Sequence, residues 1–443
     1  MDPVDFIHAL RWSDLPAAIR RQSELCVLDL IGVAAGAHDL DLSRIIRDHA
    51  ADTFGGSQAL MFDGRAASPA GVALAAGMSI DALDGHDGYN PAKGHIGCPL
   101  FPAALTLGMQ AGVSGADFLA AIVLGYEFGA RAAVAQHASV PDYHTSGSWG
   151  AVTAAAAGAR LLQLPPDQTR HALGIAEYHG PRSQMMRCID HPTMLKDGAG
   201  WGAMTGVSAT LMAQRGFTGA PAITVEQQSE HWGGLGSRWL ILEQYFKPYP
   251  VCRWAQAPIE GVLQLRRAHN LTADMVDHIE VHSFDEAVAL ATSRPQTPEE
   301  AQYSTSFPCA IALLHGTITP ADLCGDALHD PDILRLSTGL VMRADAECSA
   351  SFPAERHARV TLHLKDGRTL ETGTMSPLWD HRTPPTEAEL RAKYHALADP
   401  VLGEAHANAI ETALADLADT PLSVLGDLLF QPINSETILG KSA

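Results

Sequence analysis

The sequence predicts a mostly α protein in which a long helical stretch, a small α+β unit and a second helical stretch follow one another. Three observations carry this. Apolar residues recur three and four apart from about Pro16 to Leu265, as in Ala18, Leu25, Val27, Leu28, Ile31 and Ala34, which lays an apolar stripe along each helix. Near Asn270 the apolar period changes to two. From Glu387 to Leu439 helical spacing returns; if that tail packs back on the first half, the helical domain is discontinuous and the α+β unit is an insertion.

The individual segments follow from their residues. Alanine and glycine are dense in Ala67 to Ala82, Gly150 to Leu162 and Gly198 to Ala213, and small side chains let helix axes approach closely, so these are expected as the buried helices of a bundle. Val276-Asp-His-Ile-Glu-Val-His282 alternates as a half-buried strand does. Ala358 to Leu364, the turn residues Asp366-Gly367 and then Thr369 to Thr372 read as a β-hairpin. Ala301 to Leu314 and Ala327 to Gly339 are expected as helices between the strands.

Composition excludes several functions. Of 443 residues, 30 are Lys or Arg and 50 Asp or Glu, a net charge of −20, which repels nucleic-acid phosphates and anionic lipid. The expectation is therefore no nucleic-acid partner and no membrane, and an anionic substrate needs a local cationic pocket. Ala116 to Ala135 is interrupted by Asp117, Glu127 and Arg131, short of the ~18 clean apolar residues of a membrane span. The acidic opening Met1-Asp-Pro-Val-Asp5 is unlike an export signal, so a cytoplasmic protein is expected. Seven cysteines without a CxxC pair argue for reduced thiols, against a disulfide scaffold and against structural zinc.

Chemistry concentrates in polar islands between apolar helices. Asp84-Gly-His86-Asp87-Gly-Tyr89-Asn-Pro-Ala-Lys93-Gly-His95 offers acid, base and hydrogen-bond partners in twelve positions, and loops set on rigid helices often bear function; its bland alternative is a solvated connection. Asp142-Tyr143-His144-Thr-Ser-Gly-Ser precedes an alanine-rich helix, where its hydroxyls and N–H groups either face an anion or merely cap the helix. Arg182, Arg187 and Lys196 lie in a third island, with Lys196 just before a glycine-rich helix as a candidate base or carboxylate clamp, although an isolated lysine is more often a snorkelling surface residue. A fourth contains Lys247 and Arg253, the latter able to grip a carboxylate bidentately. No GxGxxG after a strand, GxxxxGK[ST], GxSxG or HExxH pattern is present, so nucleotide, serine-hydrolase and metalloprotease chemistry lose support.

In this order the islands resemble the MmgE/PrpD family, whose members include 2-methylcitrate dehydratase, cis-aconitate decarboxylase and iminodisuccinate epimerase. The resemblance rests on Asp81-Ala-Leu-Asp84-Gly-His86-Asp87-Gly with Lys93-Gly-His95, His144-Thr-Ser-Gly, Met194-Leu-Lys196-Asp-Gly-Ala-Gly, Arg215-Gly-Phe-Thr-Gly-Ala-Pro, Lys247-Pro-Tyr-Pro-Val-Cys252, Tyr303-Ser-Thr-Ser-Phe307 and Leu364-Lys-Asp-Gly-Arg368. It implies a large discontinuous all-helical domain (residues 1–267 and 395–443), a smaller inserted α+β lid domain (268–394), and a homodimer with the site in the interdomain cleft. Carried over by position, active-site roles fall on Asp84, His95, His144 and Lys196, with Tyr143 and Tyr89 contributing. The chain departs from many relatives at His86-Asp87-Gly88, at Gln256 and at Phe307, which puts the substrate or reaction in doubt, and the polar loop is closer to the epimerase-like branch.

The expected chemistry is removal of a proton α to a carboxylate, or the equivalent loss of CO2, from a small di- or tricarboxylate, without a cofactor or metal. A base among Lys196, His144 and Tyr143 takes the proton, His95 or His144 returns one, and Arg182, Arg187, Lys247 or Arg253 supplies charge, with His86 and Tyr89 in the binding set. A dehydratase-type lyase is the first reading and an epimerase the alternative. The rivals are a scaffold that has lost its chemistry and a metallohydrolase drawing on the 21 histidines.

Overall fold

A computed structural model describes residues 1–433; the last part of the expected helical tail, residues 434–439, lies outside the described residues. Among the described residues there are twenty α-helices and six strands, two of them only two residues long. The mostly α class holds.

The alanine- and glycine-rich segments form the helices Pro69–Asp81, Gly147–Leu161 and Ala199–Gln214; the last packs on each of the other two, and all three pack on Gly97–Ala111. Their small residues are required by the packing. A Cβ on Gly77 would stand 2.6 Å from the Gly200 Cα, and one on Gly206 2.4 Å from the Ala154 Cβ. The helix Gly115–Ser139 is long and apolar enough to cross a membrane by length and composition, and 94% of its apolar window is buried inside the fold.

Two large apolar clusters divide the interior. One joins residues from Val4 to Phe246 with residues from Leu390 to Leu429, and the other runs from Val251 to Leu364. The helix Glu387–Leu402 opens with a capping box at Thr386 and Glu389, packs on Ala17–Gly36 with Tyr394 against Gly32, and buries an ion pair between Lys393 and Asp29 at 2.5 Å. This single helix runs across the expected boundary at residue 394.

The α+β segment contains a four-stranded sheet. Val276–Ser283 is central, parallel to Val341–Ala344 on one side and antiparallel to Ala358–Leu364 on the other, with Thr369–Glu371 closing the hairpin. Ile279 and Val281 face the second apolar cluster, while His278, Glu280 and His282 alternate outward. The two helices expected here are each broken. Ser304 Oγ accepts the Phe307 N–H at 3.0 Å and starts a new helix at Ser306, and Asp330 caps a helix beginning at Pro331, because Ser and Asp offer the backbone a competing hydrogen bond and Pro fits a first helical turn.

Candidate active site

The polar loop after the helix Pro69–Asp81 is buried. Its backbone turns at Asp84 (φ 48°) and Lys93 (φ 54°), both in the left-handed region. The turn at Asp84 is held by Lys247, whose Nζ donates to the Asp84 carbonyl at 2.7 Å and also to its carboxylate. Burial pushes the Asp84 carboxyl up, and the Lys247 ammonium together with the groups behind it, Lys196 among them, outweighs burial and leaves Asp84 below the ordinary carboxylate range. The same attraction raises Lys247 against its own burial. Both groups keep their charge because each is the other's partner.

His95 is fixed at two points. Its N–H donates to Ser146 Oγ at 2.9 Å, and Nδ1 lies 2.6 Å from the Asp87 carbonyl oxygen. A carbonyl only accepts, so the ring proton sits on Nδ1 and the lone pair on Nε2. Nε2 faces Asp84 and Asp197 carboxylate oxygens, each at 3.8 Å. Burial, then His86 and Lys247, push His95 well below 6.5, so the ring is neutral.

His86 packs edge to face on His95 with centroids 4.2 Å apart, and its Nε2 lies 3.5 Å from Asp81 Oδ1. Burial drives His86 down to about 3, whereas burial raises Asp81 and raises Asp197, the latter further through Asp81's charge. His86 therefore stands as a neutral ring beside Asp81, its Nε2 without a hydrogen-bond partner. Ser146 Oγ donates to Asp197 Oδ2 at 2.7 Å, leaving Asp197 Oδ1 buried and unpartnered.

Lys196 completes the cluster. It is 1% exposed, has φ 49°, donates from Nζ to Gln302 Oε1, and lies 5.0 Å over the Tyr303 ring. Lys196 thus meets the α+β segment from the helical side. Its charge is the largest influence opposing the rise of Asp81, and it also favours ionised Asp84. Lys196 also lines a cavity of about 490 Å³ with Thr145, Arg187, Cys188, His191 and Trp201.

The structure thus brings Asp84, His86, His95, Lys196 and Lys247 into one buried electrostatic cluster, with Arg187 at its cavity. Other expected residues are placed elsewhere. Tyr89 donates to Glu243 at 3.4 Å and lines a separate cavity with Pro353 and Arg382. Arg182 is exposed. Arg253 donates from its terminal nitrogens to the Phe246 and Leu378 carbonyls and to Asp380 at 3.1 Å, with its guanidinium 3.9 Å above the Tyr245 ring and its Nε buried without a partner; burial lowers it to about 10. Tyr143 lies nearer the cluster: it donates its hydroxyl to the Lys93 carbonyl, and burial, then the Asp197 charge, hold it well above 10. His144 contacts the Asp142 carbonyl at 2.8 Å, and its charged neighbours are Arg182 and Asp142 rather than the inner cluster.

Asp81, Asp197, Ser146 and Tyr245 were not among the residues expected to act. Asp81 and Asp197 lie inside the motifs quoted above, and only burial distinguishes them from ordinary surface carboxylates. Gln256 donates to the Tyr249 and Val251 carbonyls at 3.0 Å and braces the loop after Lys247, and Phe307 is buried in the second apolar cluster.

Two outcomes follow from this geometry. A Cβ on Gly88 would stand 2.4 Å from Tyr245 Oη and 2.9 Å from His95 Nδ1, so Gly88→Ala displaces the His95 ring and lowers kcat by about 10²-fold, read by steady-state kinetics beside an unchanged circular dichroism spectrum. His86, depressed to about 3, contributes stability that is present above pH 6.5 and lost as pH falls toward 3. The stability gap between the wild type and His86→Gln therefore shrinks by about 3 kcal/mol between pH 6.5 and about pH 4, measured by denaturant unfolding. The raised carboxyls act in the opposite sense but are common to both proteins.

Residues 4–234 match the model of the MmgE/PrpD N-terminal domain and residues 249–419 that of the MmgE/PrpD C-terminal domain. The chain belongs to the MmgE/PrpD family. This MmgE/PrpD chain is 24% identical to the cis-aconitate decarboxylase-like protein oryM of Aspergillus oryzae, over 93% of each chain. It is 23% identical to a cis-aconitate decarboxylase of Aspergillus terreus, over 97% of this chain and 95% of that one. It is also 25% identical to the cis-aconitate decarboxylase of Mus musculus, over 96% and 92%.

Proposed function

We propose that the protein is a cytosolic, cofactor-independent lyase acting on a small di- or tricarboxylate. The observation that carries this is the buried cluster in which a neutral His95 with a free Nε2, the raised carboxyl of Asp197 and the Lys196 ammonium sit together. The Lys196 ammonium at the cavity, in a chain of net charge −20, suits an anionic substrate. Full-length similarity to cis-aconitate decarboxylases supports a lyase that removes water or CO2.

In the dehydratase-type reading Lys196 holds the substrate carboxylate and stabilises the charge that develops beside it. His95 Nε2 takes the α proton, the freed electron pair forms the alkene, and the β hydroxyl leaves as water with a proton from Asp197. In decarboxylation the pair left by departing CO2 is protonated by the same acid. The Lys247–Asp84 pair keeps His95 beside a fixed negative charge. The α+β segment acts as a lid through Gln302 and Tyr303, which meet Lys196, and the protein is a homodimer.

The test is incubation with citrate-like, aconitate-like and aminodicarboxylate candidates in deuterated water, followed by NMR. Loss of water or CO2 with a changed alkene signal is expected. Hydrogen exchange without net product would instead mean epimerisation, and neither exchange nor product across the panel would leave a scaffold.

A further inference from the structure

We propose that His278, Glu280 and His363 form a site for a divalent transition metal of the zinc class on the outer face of the sheet, apart from the catalytic cluster. The register creates it. His278 and His363 are direct cross-strand partners, and Glu280 follows His278 by two residues on the same face. One nitrogen of each imidazole and one Glu280 oxygen lie within 4.8 Å of one another.

Several details fit metal ligation better than a casual surface cluster. The His278 and His363 rings stack 4.2 Å apart at 8°, so their edges run side by side. Asp277 Oδ2 lies 2.8 Å from His278 Nδ1, the carboxylate–histidine arrangement that orients a ligand and leaves Nε2 as the lone pair. His363 Nε2 is shut off from solvent without a hydrogen-bond partner, although Glu280 Oε2 is 3.5 Å away. Two ligand atoms on a tetrahedral zinc stand about 3.3 Å apart, so this spacing accepts an ion with little movement. Glu280 Oε1 is already engaged by Arg343 and His282 at 2.5 and 2.9 Å, which leaves Oε2 for the metal. Two imidazoles and one carboxylate select a borderline cation over calcium or magnesium.

Among the described residues, the two other groups with ligand spacing are less suited. In Asp84, His86 and His95 a wholly buried Lys247 ammonium donates to both the carbonyl and the carboxylate of Asp84 and repels a cation, whereas the Arg343 guanidinium beside Glu280 is largely exposed and engages Oε1 alone. In Asp81, His86 and Cys98 burial keeps the thiol protonated.

The experiment uses chelator-stripped full-length protein titrated with Zn2+ alone, by calorimetry and by thermal unfolding. One Zn2+ per chain with a raised Tm is expected. Affinity falls at least tenfold in His363→Gln and in His278→Gln, and about 10–100-fold in Asp277→Asn, while His86→Gln binds as the wild type does; circular dichroism checks that each variant is folded. Absence of stoichiometric Zn2+ binding, binding undiminished in His363→Gln, or binding lost in His86→Gln would overturn the proposal.

Discussion

Lys196→Met lowers turnover by about 10²–10³-fold, the scale of losing one preorganised stabilising charge in a site shielded from water. The substitution keeps side-chain length in a residue that is 1% exposed, so the fold survives and Tm separates a chemical defect from unfolding. His95→Gln lowers turnover by about 10²–10⁴-fold through loss of the proton carrier, and with it exchange of the substrate α hydrogen in deuterated water. If Lys196→Met abolishes exchange while substrate still binds, Lys196 is the base and the roles assigned above are reversed. Near-normal turnover in both variants removes the cluster from catalysis.

The second large effect falls on stability. Lys247→Met leaves the Asp84 carboxylate buried without its ammonium partner, and breaking a buried pair from one side costs about 3–5 kcal/mol. Asp84→Asn strands the ammonium and costs a similar amount. The double variant Asp84→Asn/Lys247→Met recovers most of the loss, because neither bare charge remains, and yet stays catalytically impaired through the disturbed His95. Urea unfolding of the four proteins gives the coupling. Additive losses would show that the pair is not a coupled unit.

Much of this was legible along the chain. The polar island from Asp84 to His95, the isolated Lys196 before a glycine-rich helix and Lys247 in its proline-rich segment stood out because charged residues between apolar helices are costly to bury. The hairpin from Ala358 was legible because alternation and a two-residue turn are local signals. The breaks at Ser304 and Asp330 were harder, since a capping serine or aspartate inside an apolar helical pattern looks the same as a surface residue until its hydrogen bond is seen. Arg253 shows what sequence leaves open: an arginine next to aromatics reads as a carboxylate clamp, whereas in the fold its two terminal nitrogens donate to Phe246, Leu378 and Asp380 and its Nε stays buried without a partner.

The amino-acid order by itself determined the mostly helical class, the family resemblance, the presence of titratable residues in several separated islands, and the central strand and the hairpin but not the strand Val341–Ala344, because periodicity, turn residues and motif spacing are properties of short segments. Only the tertiary structure decided which of those residues meet and in what protonation state. Burial depresses His86 and His95 while raising Asp81 and Asp197, and Lys247 lets Asp84 alone among these carboxyls stay below its ordinary range. Desolvation and the field of a partner 163 residues away exist only once the chain has closed around them.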